Sequence, residues 1–240
     1  AWGDLCDEIV KELTSGFVEV NTVLLKLSAF LPVCKAMLEL GPQWLDSYIR
    51  RILLEALANG LEASIATGDG NGKPIGMNRQ VGEGVSVTGG VYPKKPAISV
   101  ADFSPATMGQ LISLMAMDPN GKLRKVDDLI LLVNPQDYYQ KVMPATTVMA
   151  PDGTYRNDVF PYPVSVIQVP ALERGEAILG MAKRYFAAAG TSTDGRIEFS
   201  DHVKFLEDKR VYIIKAYANG MPKDGNAFLR LDISGMTPLA

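Results

Sequence analysis

Leu45-Asp46-Ser47-Tyr48-Ile49-Arg50-Arg51-Ile52-Leu53-Leu54-Glu55-Ala56-Leu57-Ala58-Asn59-Gly60-Leu61-Glu62-Ala63-Ser64-Ile65-Ala66-Thr67 runs without a break into Gly68-Asp69-Gly70-Asn71-Gly72-Lys73-Pro74-Ile75-Gly76. The first part carries Leu45, Ile49, Ile52, Leu53, Ala56, Gly60 and Ala63 at the three-and-four spacing of one buried helical stripe. Gly41-Pro42 sets the start, because proline suits the first helical turn. Gly68 sets the end, as glycine commonly does just past a helix. Asp46 with Arg50, and Arg51 with Glu55, stand four apart on the outward side, where opposite charges add a little support. At about 1.5 Å per residue, a helix over 41–67 is ~40 Å long. In a chain of 240 residues that length points to a spine rather than an element of a compact bundle.

The glycine-rich segment after the helix invites a phosphate-binding reading, and the residues refuse it. A P-loop needs a glycine five positions before Gly72-Lys73 and a Ser or Thr after it; Thr67 and Pro74 stand there. It also follows a strand, not a helix. The dinucleotide pattern fails because Lys73 or Ile75 occupies the place of the third glycine. An EF-hand starting at Asp69 and continuing through Asn71 and Lys73 has Pro74 at its sixth position and Gln80 at its twelfth. The segment reads as a helix-ending turn.

Toward the N-terminus lies Asp4-Leu5-Cys6-Asp7-Glu8-Ile9-Val10-Lys11-Glu12, then the partly alternating run Phe17–Phe30. This pattern predicts a strand pair with its turn near Thr14-Ser15-Gly16. A two-stranded ribbon is marginal alone and must lean on something. That support is either another subunit or the chain's own domain. Toward the C-terminus, 68–100 is glycine-rich and irregular. Ser104 as N-cap and Pro105 at the first helical position open a helix over 104–117, with Met108, Leu111, Ile112 and Met115 on one face. Asn134-Pro135 starts a short helix over 136–141. Strands are expected at 129–133, 164–169, 177–181, 196–199, 211–218 and 228–233. Asp201–Arg210, dense in mixed charge, reads as a solvated turn or surface. The class is mixed α+β.

The bulk numbers agree with a globular chain. Hydrophobic residues are 47 % and charged residues 21 %, so the composition is not that of a disordered segment. The net charge of −3 shows no basic excess of the sort that grips nucleic-acid phosphates. Cys6 and Cys34 are too few for a disulfide scaffold and read as reduced thiols. Apolar runs are broken by charge before reaching the roughly 20 residues of a membrane span, so no membrane partner is expected. The start, Ala1-Trp2-Gly3-Asp4, has no signal-peptide pattern and no initiator Met, which points to a trimmed or processed terminus.

Catalytic constellations are sparse. His202 is the single histidine, set beside Asp201 in a polar stretch. A nucleophile elbow is missing, since Gly84-Val85-Ser86-Val87-Thr88 lacks its closing glycine. One His and two distant Cys serve zinc poorly. Asp127-Asp128 precede a strand; cation binding and simple capping both account for them. The ten Met residues fill core gaps. No cofactor, metal or catalytic residue is assigned. An enzyme built on Asp127, Asp128 or His202 stays as a lesser alternative.

The order of segments says more than any one of them. Leu31-Pro32-Val33-Cys34-Lys35-Ala36-Met37-Leu38-Glu39 leads into Trp44-Leu45-Asp46-Ser47-Tyr48-Ile49. The helix and Gly68–Met77 follow, then Leu131-Leu132-Val133-Asn134-Pro135-Gln136-Asp137-Tyr138 and Phe160-Pro161-Tyr162-Pro163-Val164. In this order the segments resemble the HK97-like phage major capsid proteins, from about residue 15 to the C-terminus. The family pattern has a P-V-S/T-K-x-M-L lead-in, a long spine helix closed by a glycine-rich turn, a V-x-N-P-x-D element and a G-x-P-V approach to a core strand.

The resemblance implies an HK97-like capsid fold. Residues 1–30 would form the E-loop ribbon, 31–67 and 191–222 the peripheral P-domain, and 68–190 and 223–240 the axial A-domain. It implies intersubunit contacts through Asp7, Glu8, Lys11 and Glu12, and a spine helix carrying Trp44, Arg50, Arg51 and Glu55. The function implied is a structural subunit of a tailed-phage or prophage icosahedral capsid. It would self-assemble into pentamers and hexamers around double-stranded DNA held without sequence specificity. A scaffold, a protease and a portal would be its other partners. Its place would be the virion, after assembly in the bacterial host cytoplasm. The same fold also builds encapsulin-like compartments, which is the alternative. Some members join subunits by a Lys–Asn isopeptide bond helped by a buried Glu. Lys11 lies about where such a lysine would sit. The facing strand 211–218 has no Asp, Glu or Asn, so no cross-link of that kind is expected.

Overall fold

The computed structural model describes residues 24–40, 44–190 and 197–236. In chain order the strands are β1 (Leu25–Cys34), β2 (Ala97–Ser99), β3 (Leu129–Val133), β4 (Val148–Met149), β5 (Tyr155–Arg156), β6 (Val164–Gln168), β7 (Glu176–Met181), β8 (Tyr185–Ala189), β9 (Ile197–Lys204), β10 (Lys209–Pro222) and β11 (Phe228–Asp232). The main helices are α1 (Lys35–Leu40), α2 (Leu45–Thr67) and α3 (Pro105–Met115).

The first sheet is built around β10. Strand β1 pairs antiparallel along one side of it, from Leu25 opposite Ala218 to Cys34 opposite Lys209. The other side is shared between β9, which pairs with the first half, and β8, which pairs from Ala218 to Pro222. Period-two alternation sets the faces. Lys26, Ser28 and Phe30 are exposed, whereas Tyr212, Ile214 and Ala216 are buried. Helix α2 lies on the buried face: Ile49 and Leu53 pack with Tyr212 and Ile214, with Ala29, Leu31, Val33, Leu38, Leu45, Leu57 and Ile197 around them.

The second sheet has the order β2-β11-β7-β3-β6. Strands β2 and β11 run parallel, as do β3 and β6; β7 is antiparallel to both of its neighbours. Every residue of β7 is buried, as a central strand covered on both faces must be. Helix α3 covers this sheet with Met108, Leu111 and Met115, capped by the Ser104 hydroxyl that accepts the Thr107 amide. Ala66 and Ile65, in the last turns of α2, belong to this larger core. The 23-residue α2 therefore starts on one hydrophobic cluster and ends in the other, as the spine reading required.

Several expectations shift. The helix begins at Leu45, and 41–43 lie outside the described residues. Ala56 is exposed; Leu57 takes the place expected of it, because the stripe slews around the helix as it leaves the first sheet. Arg51 does not pair with Glu55 but lies over the Tyr48 ring, 5.9 Å from its centroid. Asp201–Arg210 is no loose turn. It is the end of β9, a tight 3-10 turn and the start of β10, clasped by Arg210 donating to both Asp201 carboxylate oxygens at 2.7 and 3.0 Å. The turn at 14–16 and the first ribbon strand fall outside the described residues. What is described, Leu25–Phe30, lies on the chain's own β10, so the expected boundary at residue 30 falls inside β1.

The helix after Asn134 continues to Thr146 and changes pitch on the way. Pro135–Asp137 and Met143–Thr146 are α-helical, and Tyr138–Val142 between them is π-helical. Pro144 explains the change: it has no amide to donate four residues back, and its ring crowds that carbonyl. The Met143 amide instead donates to Tyr138 O, five residues back.

Candidate functional site

The glycine turn welds α2 to the second core. The Gly68 amide donates to Ser64 O at 2.9 Å, the Met77 amide to Ile65 O at 3.0 Å and the Asn78 amide to Ala66 O at 3.3 Å. These are carbonyls that a helix C-terminus otherwise leaves unpaired. Gly68 is not in a left-handed conformation (φ −51°, ψ 145°). Glycine is needed for contact: a Cβ there would lie 2.2 Å from Pro74 O and 2.5 Å from Ser64 O. Gly76 faces the same constraint from the other side, 2.7 Å from Gly68 N. Asp69 accepts the Asn71 amide and pairs with Lys73 at 3.1 Å, closing the loop on itself.

The Asn134-Pro135-Gln136-Asp137 segment is a clamp on the loop at 172–175. Asn134 Oδ1 accepts the Gln136 amide as N-cap, and its Nδ2 donates to Leu172 O at 2.8 Å. Asp137, fully buried, accepts the Gly175 amide at 2.6 Å and Arg174 Nε at 3.0 Å. The outer nitrogens of Arg174 donate to Gln136 and Gln140. A buried carboxylate is tolerated because charge-assisted donors meet it on two sides.

A second polar cluster ties the turn to β7 and β11. Asn78, fully buried, donates through Nδ2 to Glu176 Oε1 at 3.0 Å, and Arg230 donates to Glu176 Oε2 at 3.2 Å. Lys94 pairs with Glu173 at 2.8 Å and holds that carboxyl below its ordinary range. Beside this cluster Lys95 is buried, its Nζ donating to Gly225 O at 2.6 Å and Phe228 O at 2.7 Å. Burial pushes its amine down to about 8. Lys95 lines a cleft of about 680 Å³ between the 80–86 loop and the β2–β11 edge.

No catalytic arrangement emerges from the residues named for one. Asp127 and Asp128 stand exposed before β3, with Asp128 paired to Lys183; His202 is exposed on β9, in the other sheet. Among the described residues no group of three His, Cys, Asp or Glu is placed to hold a metal. No helix is long and apolar enough to cross a membrane, among the same residues.

The surface carries the more telling chemistry. At the β9–β10 hairpin end Leu206 is 99 % exposed, with Val203 and Phe205 also open to solvent and Phe199 further down β9. Glu207 bridges Lys204 and Lys209 at 3.0 and 2.9 Å, while the exposed Asp208 has no ion pair among the described residues. A second apolar patch, Val148, Met149 and Tyr155, marks the β4–β5 hairpin. Of the spine residues, Trp44 is 58 % exposed and meets Tyr48 edge-on at 5.5 Å, and Arg50 pairs with Asp46 at 2.7 Å. Asp7, Glu8, Lys11 and Glu12 lie outside the described residues. The cross-link argument loses its basis, because β10 runs on to Pro222 and contains Asn219. The hairpin-end patch escaped the sequence reading, which took its charges for a solvated turn. Phe205-Leu206 set among charges was the signal.

Comparison with known proteins gives one consistent answer. The family model described as the phage capsid family matches residues 2–148. No curated protein matches the chain. Among solved structures, the capsid of a native GTA particle superposes with a TM-score of 0.58 at 14 % identity, covering 88 % of this chain and 72 % of that one. Gordonia phage Cozz gives 0.56 at 15 % identity, covering 87 % of this chain and 70 % of that chain. The holo-SrpI encapsulin complex from Synechococcus elongatus PCC 7942 gives 0.55 at 13 % identity, covering 90 % and 77 %. At such identities these likenesses establish the fold, which is HK97-like, and the family model establishes membership: the chain belongs to the phage capsid family.

Proposed function

We propose that this capsid protein self-assembles into pentamers and hexamers that tile an icosahedral shell around double-stranded DNA. The observation that carries the proposal is the apolar hairpin end at Phe205-Leu206, exposed beside the Lys204–Glu207–Lys209 ion pairs. Such a surface gains by meeting another copy, since the contact removes its exposed apolar area from water. Subunits would meet through heterologous contacts that close into rings. The segment before β1 would act as an arm over a neighbouring subunit, with Asp7, Glu8, Lys11 and Glu12 setting register, while Leu25–Phe30 stay on the chain's own β10. Residues 31–67 and 191–222 would form the peripheral part, and 68–190 with 223–240 the axial part. The net charge of −3 suits a wall that holds DNA without sticking to it. The role is structural and not enzymatic, and assembly takes place in the bacterial host cytoplasm with a scaffold, a protease and a portal.

A compartment enclosing protein cargo is the second reading, favoured by the likeness to the SrpI encapsulin. The test is cryo-electron microscopy of particles made with the chain, followed by nuclease digestion and extraction. Five- and six-membered rings with nuclease-protected double-stranded DNA support the proposal. Closed shells holding only protein would replace it with the compartment reading.

A further inference from the structure

The outward side of α2 carries a second pattern, independent of its buried stripe. Trp44, Tyr48, Arg51, Glu55, Ala58 and Glu62 follow one another at intervals of four, three, four, three and four residues. That is the spacing of a helix–helix seam. The Trp44 backbone already has helical angles and accepts the Tyr48 amide at 3.0 Å, so the pattern starts with the helix. All but the half-buried Glu62 are exposed. The composition is that of an interface hot spot, where Trp, Tyr and Arg are enriched. The stripe is also symmetric about residue 53. Reversed against itself, it sets Arg51 opposite Glu55, Tyr48 opposite the small Ala58, and Trp44 opposite Glu62. Arg51 and Glu55 stand four apart on one helix and still make no ion pair with each other. Among the described residues neither has any other ion-pair partner.

We propose that α2 is a two-fold contact in the shell, packing antiparallel against α2 of a second copy with Arg51 of each chain against Glu55 of the other. The charge order selects this occupant. A positive residue and a negative residue placed symmetrically about one point are complementary to their own reversed copy, which is what an isologous contact requires. The proposal rests on the assembly reading and adds to it a specific pair of faces. Such a seam is narrow and gains its strength from repetition across the shell.

The test uses two full-length variants, Arg51→Glu and Glu55→Arg, alone and mixed in equal amounts. Each variant alone sets like charges across the seam and raises the chain concentration needed for assembly by about tenfold or more. In the mixture every unlike pair regains two opposite-charge contacts, and the threshold returns to within about twofold of wild type. Repulsion within one helix is not relieved by mixing, so rescue separates the two causes. Thermal unfolding of each variant close to wild type confirms intact folding. Single variants that assemble like wild type, or a mixture no better than its parts, overturn the two-fold contact and leave the assembly reading standing. A wild-type chain that forms no particles overturns the assembly reading itself.

Discussion

Lys95 holds its Nζ between two backbone carbonyls, Gly225 O and Phe228 O, in a place where burial outweighs the attraction of Asp224. The folded amine gives up its proton at about 8, whereas the unfolded chain keeps it to the ordinary lysine range near 10.5. Between those values the unfolded state binds more protons, so stability rises with pH through that window. Below pH 8 the cost of the buried ammonium is present in full. The unfolding free energy of wild type, taken relative to Lys95→Met, should climb by about 3 kcal/mol from pH 7 to 11. Urea unfolding at a series of pH values measures it, and a difference that stays flat contradicts the account. At this scale the sequence was partly legible. Asn134 and Asp137 were quotable as a motif, but their work, gripping Leu172 and Gly175, depends on a loop more than 30 residues away that periodicity does not locate. Lys95 gave no signal at all, because a lysine in a glycine-rich segment reads as solvated until the chain closes over it.

The long helix and its turn are the elements on which the fold depends. The spacing of Ile49, Ile52 and Leu53 and the stop at Gly68 showed the helix, since both are local signals. Its role as a link between two cores was suggested by length alone and required Ala66 to be seen in one cluster and Leu53 in the other. Strands β2 and β8 were missed for a physical reason. Ala97–Ser99 is three residues long and gains its place by pairing with β11, and the Ala-rich Tyr185–Ala189 by pairing with β10. Tertiary pairing of this kind leaves little trace in local pattern. The register of Gly68 against Pro74 gives a direct test. Gly68→Ala presses a methyl against two backbone carbonyls that have no flexible end to yield. The expected loss is on the order of 2–4 kcal/mol in urea unfolding. Gly72→Ala meets no atom within 4 Å and is charged only for its left-handed φ of +67°, about 1 kcal/mol. Equal losses in the two variants would mean that the close approach of the turn to the helix is not what holds it.

At the scale of the whole molecule, the described chain leaves apolar groups exposed at the ends of its β9–β10 and β4–β5 hairpins. Leu206 is 99 % exposed, so it adds almost nothing to the stability of one subunit. Leu206→Asp should leave thermal unfolding within about 0.5 kcal/mol of wild type while sharply reducing particle formation. A variant that forms particles as readily as wild type would remove the hairpin end from the assembly surface. The central claim is that copies of this chain build a closed shell. Light scattering on the purified chain, with the same sample viewed by negative-stain electron microscopy, tests it most directly. The account predicts a mass of many subunits with rings of five or six, or closed shells, in the images. A strictly monomeric mass across the accessible concentration range, with featureless fields, would contradict it.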